Sequence, residues 1–290
     1  MYGVSRLATK LDEFTEHYTK PMYVAKFDFT GFFMKINKII LWKRLETFLR
    51  DKYKKKNLEF ILWLTELLVM HCPENDCEYH GDPDLMTLIT PEKSLRYSGP
   101  EYGLPIGNLT SQIFANFYLH EFDILVSGMF NGGYGRYVDD FYVISEDKDK
   151  ILEFKKFAKK YLYNTLEVQL HENKFYLQEA SHGIKFIGYM IKPGRVYTGS
   201  VTIAHYYEVI DDMNDKIENL PKERFLEELN NLVCRWNSYI GFMTYTNSYN
   251  IRRNAFKGKL NKKWNKYVNP DYRYILRIRN RYRYKKLEPR

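Results

Sequence analysis

Residues 135–145 read GRYVDDFYVIS, two β-rich runs that enclose a pair of aspartates. Tyrosine, phenylalanine, valine and isoleucine favour strands, and they dominate both runs. Aspartate is disfavoured inside a strand and adjacent carboxylates repel, so Asp139 and Asp140 fit best at the tip of a hairpin. This stretch therefore predicts a β-hairpin that presents two carboxylates.

A third carboxylate makes this hairpin more informative. Asp28 lies near the end of PMYVAKFDF (21–29), a β-rich segment that predicts another strand. An isolated Asp-Asp turn is usually an ordinary polar turn, but a strand ending at Asp28 beside it would build an oxygen-rich cluster. Mg²⁺ binds few carboxylates and completes its shell with water and substrate phosphates. Two such ions about 4 Å apart can clamp both oxygens of an in-line phosphoryl transfer, which is the chemistry of a nucleotide polymerase.

Composition excludes several classes of protein. The chain has 290 residues, 44% hydrophobic and 28% charged, as in one large or two ordinary globular domains. Three cysteines cannot complete a disulfide framework, which favours a reducing compartment such as the cytoplasm. The longest apolar stretch, residues 58–70, is too short to span a bilayer, and the opening residues contain no apolar run. A secreted or membrane-bound protein is therefore not expected.

The net charge of +9 is concentrated at the C-terminal end. Residues 251–290 hold 15 Lys and Arg but only two acidic residues, whereas the rest of the chain is slightly acidic. Basic residues alternate with aromatic and aliphatic ones in KWNKYVNPDYRYILRIRNRYRYKK (263–286). A positive strip with flat rings suits nucleic acid, although a solvated cationic tail would have the same composition.

Hydrophobic periodicity predicts the remaining elements. Apolar residues recur at helical spacing in several segments, which predicts helices at 36–53, 58–70, 110–127, 149–166 and from about 203 onward. Short strands are predicted near 168–178 and 183–191, and a loop over 72–103.

These motifs together resemble a reverse transcriptase. YVDD lies between β-rich runs, Asp28 precedes it, and GLPIGNLTSQ (103–112) is similar to the second palm motif of that family. More narrowly, GLPIGNLTSQIFANFYLHEFD (103–123) followed by GRYVDDF (135–141) resembles the reverse transcriptases of diversity-generating retroelements. Those of retrons and group II introns are the next most similar. The resemblance runs from about Tyr2 to about residue 256.

The resemblance implies a fold and a function. The fold class would be α+β, a right-hand polymerase whose palm is a small antiparallel sheet with packed helices, followed by a mostly helical thumb. Residues 1–200 would form the palm with a remnant of the fingers, and residues 201–290 the thumb and basic tail. The implied activity is RNA-directed DNA synthesis from deoxynucleoside triphosphates. The implied partners are an RNA template, a DNA or RNA primer and, for retroelement enzymes, a small basic accessory protein.

The same resemblance assigns the catalytic group. Asp28 and Asp139 match the two metal-binding aspartates, and Asp140 matches the supporting third. Two Mg²⁺ ions are implied, with Mn²⁺ as a substitute, and the backbone carbonyl of Phe29 is an implied ligand. Lys174, in HENKFYLQ, matches a lysine proposed as general acid to the leaving pyrophosphate. A solvated surface lysine is the alternative.

Residues that would bind the incoming nucleotide follow from the same motifs. Phe33 matches an aromatic that blocks a ribose 2′-hydroxyl, although a core aromatic would occupy a similar pattern. The loop and helix start under the templating base pair would contribute Pro105, Ile106, Gly107 and Gln112. Retroviral enzymes keep glutamine at the position of Ile106. Because isoleucine has no hydrogen-bonding group, it predicts loose selection and an error-prone polymerase.

Nucleic-acid contacts are implied at three places. One is the YVDD motif, and the second is FIGY (186–189), which resembles a hairpin that grips the primer end. The third is the basic tail. The predicted nucleic-acid-binding residues are Tyr137, Phe186, Ile187, Gly188, Tyr189, Arg277, Arg279, Arg281 and Arg283.

Two other functional classes remain open. Only 27 residues precede Asp28, where the family normally places its fingers, so most of the fingers are expected to be missing. This favours a non-catalytic nucleic-acid-binding fragment, whereas three mutually repelling carboxylates argue for a working enzyme. A different two-metal enzyme, such as a phosphohydrolase, is disfavoured by the motifs at 103–112 and 183–191.

One further segment has the composition of a metal site. HCPENDCEYH (71–80) contains two cysteines and two histidines, which is a legitimate zinc set. An ordinary loop with free thiols is the simpler explanation. The sequence does not decide between the two.

Overall fold

The computed structural model describes residues 2–16, 21–78 and 80–282. The helices are Tyr2–Glu16 (α1), Phe32–Lys35 (α2), Lys38–Lys52 (α3), Leu58–Met70 (α4), Pro83–Met86 (α5), Leu109–Tyr118 (α6), His120–Met129 (α7), Lys148–Leu166 (α8), Ser200–Asn219 (α9), Lys222–Met243 (α10) and Tyr249–Asn254 (α11). The strands are Tyr23–Phe27 (β1), Tyr134–Tyr137 (β2), Asp140–Ser145 (β3), Tyr176–Glu179 (β4), Ile184–Phe186 (β5), Tyr189–Lys192 (β6), Arg195–Thr198 (β7), Val268–Pro270 (β8) and Leu276–Ile278 (β9).

The chain folds as two compact units. The first, called the sheet unit, comprises Phe14–Ala180, and the second, called the helical unit, comprises Met1–Glu13 with Ser181–Arg290. A cluster of buried apolar residues lies within each unit. Each unit therefore has its own hydrophobic core.

An antiparallel sheet with the strand order β2-β3-β1-β4 forms the centre of the sheet unit. The pairing of β1 with β3 sets Phe27 opposite Phe141, and their rings stack with centroids 4.7 Å apart. Both side chains are buried in the core. Because successive side chains of a strand point to opposite faces, this register also determines which residues turn away from the core.

Helices cover the apolar face of this sheet. Phe122 of α7 and Phe154 of α8 are buried in the same cluster as Phe27. Helix α8 begins after Asp147, whose carboxylate accepts hydrogen bonds from two backbone N–H groups of the first turn, at 2.9 and 3.1 Å. This N-cap supplies acceptors for donors that have no partner within the helix.

The helical unit is built around buried tryptophans. Trp236 and Trp264 are both fully buried, and their indole N–H groups donate to the carbonyl oxygens of Tyr274 and Met213, at 2.9 and 3.2 Å. The unit also contains a three-stranded antiparallel sheet of order β5-β6-β7 and the two-stranded β8-β9 hairpin. The indole bonds satisfy polar groups that would otherwise be costly to bury.

Most of the predicted elements are confirmed. The structure contains the strand expected at 21–29, the helices expected at 36–53, 58–70 and 149–166, and the hairpin around Asp139. The single helix predicted over 110–127 is wrong, because α6 and α7 are separate helices that meet at the buried residue Leu119. No glycine or proline marks this break, so tertiary packing determines it.

The sequence pattern missed α1, β7 and the β8-β9 hairpin. Strands β8 and β9 have only three residues each. The Asn237 side chain of α10 bonds the backbone carbonyl and N–H of Leu276, at 2.9 and 2.7 Å. This hairpin thus depends on a contact across 39 positions, which local periodicity does not record.

Candidate active site

Asp28 lies at one end of the central sheet, directly after β1. Phe27 points into the core, so strand alternation turns Asp28 and Lys26 toward the opposite face. The Asp28 carboxylate is 13% exposed and accepts a hydrogen bond from Lys174 Nζ at 2.6 Å. Two of the predicted catalytic residues are therefore in direct contact.

The backbone beside Asp28 fixes the direction of the Phe29 carbonyl. The Asp28 carbonyl accepts from the His171 N–H at 2.7 Å, and the Thr30 N–H donates to the Gln169 carbonyl at 2.9 Å. Both bonds go to the same neighbouring segment. Because backbone groups alternate along a strand, the Phe29 carbonyl points the other way, toward the side of the sheet where β3 lies.

The β2-β3 hairpin brings the other two aspartates to the same end of the sheet. Tyr137 pairs with Asp140, which leaves Val138 and Asp139 as the turn. The register of Phe27 with Phe141 places Asp140 across from the position of Asp28. Val138 has a φ of 58°, a left-handed conformation that β-branched residues rarely adopt. The turn is therefore strained and needs support from its surroundings.

Arg136 provides that support. Its guanidinium donates to Asp123 through two nitrogens, with Nε at 2.8 Å from Oδ1, and its Nη1 donates to the Val138 carbonyl at 2.7 Å. The Arg136 side chain is only 7% exposed, and the hydroxyl of Tyr134 also donates to Asp123. A planar guanidinium with several fixed donors suits this arrangement. The Arg136–Asp123 pair therefore ties the strained turn to helix α7.

The three carboxylates act on one another electrostatically. Burial raises the pKa of Asp139 above its ordinary value, the charges of Asp140 and Asp28 raise it further, and Lys174 opposes these effects. The hydrogen bond to Asp28 raises the pKa of Lys174. Asp140 forms an ion pair with Lys26, with Nζ and Oδ1 2.8 Å apart. The predicted catalytic residues thus form one charged group.

The chemistry of these donors fits Mg²⁺. The carboxylates of Asp28, Asp139 and Asp140 and the Phe29 carbonyl offer only oxygen atoms as ligands. Mg²⁺ is typically held by one or two carboxylates, together with water and phosphate oxygens. A divalent cation would also offset the repulsion that raises the pKa of Asp139. In the described part of the chain, no three His, Cys, Asp or Glu side chains converge closely enough to hold a metal ion by themselves.

The loop at 103–112 lies against the residues that follow Asp28. The Leu104 N–H donates to the Phe33 carbonyl at 2.8 Å, and the Gly103 N–H donates to the Ile36 carbonyl at 2.9 Å. Phe33 is half-buried against the core. The backbone therefore brings the predicted nucleotide-binding loop next to the predicted sugar-sensing residue.

The side chains of this loop are largely open to solvent. Ile106 is 68% exposed. Gly107 and Gln112 are also exposed, and Pro105 is half-buried. Ile106 is thus accessible to a ligand in this conformation.

In the helical unit, the predicted FIGY segment forms the tight turn between β5 and β6. Ile187 and Gly188 have φ values of 49° and 77°, so both central residues are left-handed, as in a type I′ turn. Phe186 and Tyr189 are buried, and the Tyr189 ring stacks on Phe242 with centroids 4.3 Å apart. The turn residues are more accessible than the flanking aromatics.

Three predicted arginines line one groove of the helical unit. Arg277, Arg279 and Arg281 surround a cavity of about 770 Å³ beside the β8-β9 hairpin. Arg281 also lies over the ring of Tyr282, 5.1 Å from its centroid. Arg283 lies outside the described residues. The groove is also lined by Asp271, so its three guanidinium groups give it a net positive charge, which suits contact with a phosphate backbone.

The Cys- and His-containing segment has other contacts. Lys38 Nζ donates to the His71 carbonyl at 2.9 Å and lies 3.4 Å from Cys72 Sγ. Cys77 and His80 are exposed. The Cys72 thiol therefore has a charged hydrogen-bond donor beside it.

Some residues of the site were not predicted from the sequence. Arg136 lies inside the GRYVDDF motif (135–141) and Asp123 ends the motif at 103–123, but neither motif by itself indicates that the two side chains pair. Lys26 alternates with Asp28 along β1, and that spacing could have indicated a partner for a carboxylate.

Comparison with known proteins identifies the family. The architecture is α+β, a polymerase palm with a small antiparallel sheet and a mostly helical thumb. The family described as reverse transcriptase (RNA-dependent DNA polymerase) matches residues 3–191. The chain belongs to this family of nucleotidyltransferases, whose members generally use divalent metal ions. A search of curated proteins gave no significant match.

Solved structures similar to the chain include telomerases of two yeasts. One, from Candida albicans in complex with a TWJ fragment of telomeric RNA, is 10% identical, with 83% of this chain and 43% of that chain covered and a TM-score of 0.46. The corresponding complex from Candida tropicalis is 14% identical, with 84% of this chain and 42% of that chain covered and a TM-score of 0.48. The apo telomerase of that species is 12% identical, with 95% of this chain and 56% of that chain covered and a TM-score of 0.47. The chain spans roughly half the length of these proteins.

Within the residues that the structure describes, no helix combines the length and apolar character needed to cross a membrane.

We predict that Arg136→Lys weakens both stability and synthesis. Lysine keeps the charge but cannot reproduce the paired bonds to Asp123 and the bond to the Val138 carbonyl. Loss of these bonds should cost about 1–3 kcal/mol in the free energy of unfolding, measured by urea denaturation. Arg235→Lys, at the more exposed pair with Asp212, is the matched control and should cost less than about 1 kcal/mol. Equal costs at both positions would contradict a special role for Arg136.

We predict that Asp139→Asn stabilises the metal-free protein. Asparagine carries no charge, so the variant avoids both the cost of burying a charged carboxylate and the repulsion from Asp28 and Asp140. The melting temperature at neutral pH should rise by about 2–4 °C for each kcal/mol relieved. Asp211→Asn, on the exposed side of α9, should leave it unchanged. Mg²⁺ should raise the melting temperature of the parent more than that of Asp139→Asn. If the metal-free variant melts at the same temperature as the metal-free parent, or at a lower one, repulsion among the carboxylates does not destabilise the protein.

Proposed function

We propose that the chain catalyses RNA-directed DNA synthesis, in which a primer 3′-hydroxyl attacks the α-phosphorus of a deoxynucleoside triphosphate. The observation that carries this proposal is the single charged group formed by Asp28, Asp139, Asp140 and Lys174. It lies in the part of the chain that matches the reverse transcriptase family. An acidic group of this kind is suited to phosphoryl transfer, where catalysis is mostly positioning and charge stabilisation.

Each residue of the group would have a separate role. Asp28, Asp139 and the Phe29 carbonyl would hold two Mg²⁺ ions, or Mn²⁺, with Asp140 in support. When bound, such ions supply positive charge to the attacking and leaving oxygens. Arg136 would keep the turn in position, because it bonds the Val138 carbonyl next to Asp139.

Lys174 would donate the proton that the leaving group needs. A lysine amine carries a proton at neutral pH, and the hydrogen bond to Asp28 raises the pKa of Lys174 further. During transfer, the new P–O bond forms at the primer oxygen and the bond to pyrophosphate breaks. The hydroxyl proton leaves to solvent, and Lys174 protonates a pyrophosphate oxygen.

The sugar and the base would be read by different residues. We assign exclusion of a ribose 2′-hydroxyl to Phe33, whose backbone is tied to the nucleotide loop. Ile106 would contact the nascent base pair without a hydrogen bond, together with Pro105, Gly107 and Gln112. An apolar contact discriminates by only about 1–3 kcal/mol. Error-prone synthesis and membership of the diversity-generating retroelement type follow from this assignment and from the 103–123 motif.

The remaining assignments concern partners and organisation. The template would be RNA and the primer DNA or RNA, with contacts at Tyr137, the FIGY turn and the basic tail, and a small basic accessory protein would assist. Residues 1–200 would act as palm with a fingers remnant and 201–290 as thumb and tail. Cys72, Cys77 and Cys234 are free thiols, which fits a cytoplasmic protein of a bacterial or phage retroelement.

The direct test is primer extension on an RNA template with Asp28→Asn. Loss of a metal ligand should lower the rate at least about 1,000-fold, which corresponds to about 4 kcal/mol. Asp211→Asn serves as the matched control because it removes an exposed aspartate of α9.

Two results would distinguish the competing interpretations. Undiminished extension by Asp28→Asn would overturn the proposed active site. A parent chain that binds primer–template but never extends it would favour the non-catalytic nucleic-acid-binding alternative.

The arginine groove predicts a measurable salt effect. Replacing Arg277, Arg279 and Arg281 together by alanine should weaken primer–template binding and flatten its dependence on salt. Each lost phosphate contact should reduce the slope of log K against log salt by roughly 0.7–0.9. Fluorescence anisotropy at several salt concentrations measures this slope.

A charge-matched control separates local contact from net charge. Replacing Lys148, Lys156 and Lys160, which are exposed on α8, by alanine removes the same total charge. The control should change the slope less than the arginine triple variant. Equal slopes for the two variants would show that the groove does not contact phosphate.

A further inference from the structure

Helix α4 has apolar residues on two faces. Leu62 and Val69 are buried, as expected for a helix that packs on the sheet unit. Its outward face carries a second row of large apolar side chains, called the α4 stripe: Phe60, Trp63, Leu64, Leu67 and Leu68. These are 57%, 57%, 36%, 54% and 47% exposed. A row of large apolar side chains that is open to solvent, on a helix that already buries another apolar face, indicates an interaction surface.

The stripe has opposite charges at its two ends. Before α4, Lys54, Lys55 and Lys56 follow one another, whereas Arg50 and Lys52 are paired with acidic side chains of the same chain, Glu46, Glu59 and Asp51. After α4, the chain carries Glu74, Asp76, Glu78, Asp82 and Asp84, and residues 57–92 contain no Lys or Arg. Lys54 to Lys56 are exposed, as are Asp76 and Glu78. A basic loop and an acidic loop therefore flank an apolar helix about 20 Å long.

We propose that the α4 stripe is the contact surface of a homodimer, in which the α4 helices of two copies pack antiparallel. A twofold axis perpendicular to the helices sets each end of one helix against the opposite end of its partner. The basic loop of each copy then faces the acidic loop of the other. A parallel arrangement would instead bring lysines against lysines.

The chain thus carries both halves of a complementary pattern. A foreign partner would need a separate acidic and basic arrangement to match it, whereas a second copy supplies one by symmetry. Electrostatic complementarity of this kind determines orientation and suppresses wrong pairings. The charge pattern is the observation that selects a second copy as the occupant.

Aromatic residues are suited to the centre of such an interface. The rings of Phe60 and Trp63 lie 5.8 Å apart by their centroids. Tryptophan is enriched among the residues that dominate binding energy in protein interfaces. Glu59 and Glu66 are exposed on the same helix, which disfavours a nucleic-acid phosphate backbone as the occupant.

Sedimentation equilibrium of the full chain, at about 1–100 µM, tests the proposal. The parent should form a dimer, and Leu67→Glu should weaken it by at least about 30-fold. Because Leu67 is about half exposed, the variant should keep the circular dichroism spectrum and melting temperature of a parent monomer. Ile124→Glu makes the same change at a 61% exposed position of α7 and should leave the dimer intact.

A charge exchange tests the identity of the occupant. Replacing Lys54, Lys55 and Lys56 by glutamate should dissociate the dimer, and adding Asp76→Lys and Glu78→Lys in the same chain should restore it. Restoration requires that the two loops face each other between copies. A parent that stays monomeric, a dimer unaffected by Leu67→Glu, or a charge exchange without restoration would overturn the proposal. Loss of RNA binding by Leu67→Glu without a change in mass would assign the stripe to nucleic acid instead.

Discussion

Repulsion among three carboxylates is the constraint on which the site depends. Asp28, Asp139 and Asp140 lie at one end of the same sheet, and their charges raise the pKa of Asp139 beyond what burial does. Lys174 and Lys26 compensate part of this charge through ion pairs at 2.6 and 2.8 Å. A fold without a use for a cation would gain stability by losing the Asp139 carboxylate, which burial and its two acidic neighbours disfavour. The rest of the sheet unit holds them in place.

The register of the central strands links stability to this arrangement. Phe27 stacks on Phe141 in the core, and the residues next to them, Asp28 and Asp140, take the opposite face. A slip of one residue would bury the carboxylates and expose the rings, so the apolar core enforces the position of the charges. Arg136 completes this control, because it bonds the carbonyl of the strained residue Val138. The hydrophobic core and the charged group are therefore set by the same pairing.

Local patterns allowed much of this to be predicted. The β-rich runs around Asp139 and the helical spacing over 36–53, 58–70 and 149–166 each lie within one segment, and the structure contains those elements. Features that depend on distant contacts were not predictable in this way. The break at Leu119 depends on burial, and the β8-β9 hairpin depends on Asn237. Arg136 and Asp123 are 13 positions apart in the sequence, and their side chains meet only because the hairpin packs on α7.

The most direct test of the carboxylate site is anomalous diffraction from crystals grown with Mn²⁺, primer–template and an incoming nucleotide. We expect an anomalous peak at the sheet end, with the Asp28 and Asp139 carboxylates and the Phe29 carbonyl at ligand distance, about 2.0–2.3 Å. Lys174 should then leave Asp28 Oδ2, which it now contacts at 2.6 Å. A structure in which nucleotide is bound but Mn²⁺ lies elsewhere, with the Lys174–Asp28 bond intact, would contradict it.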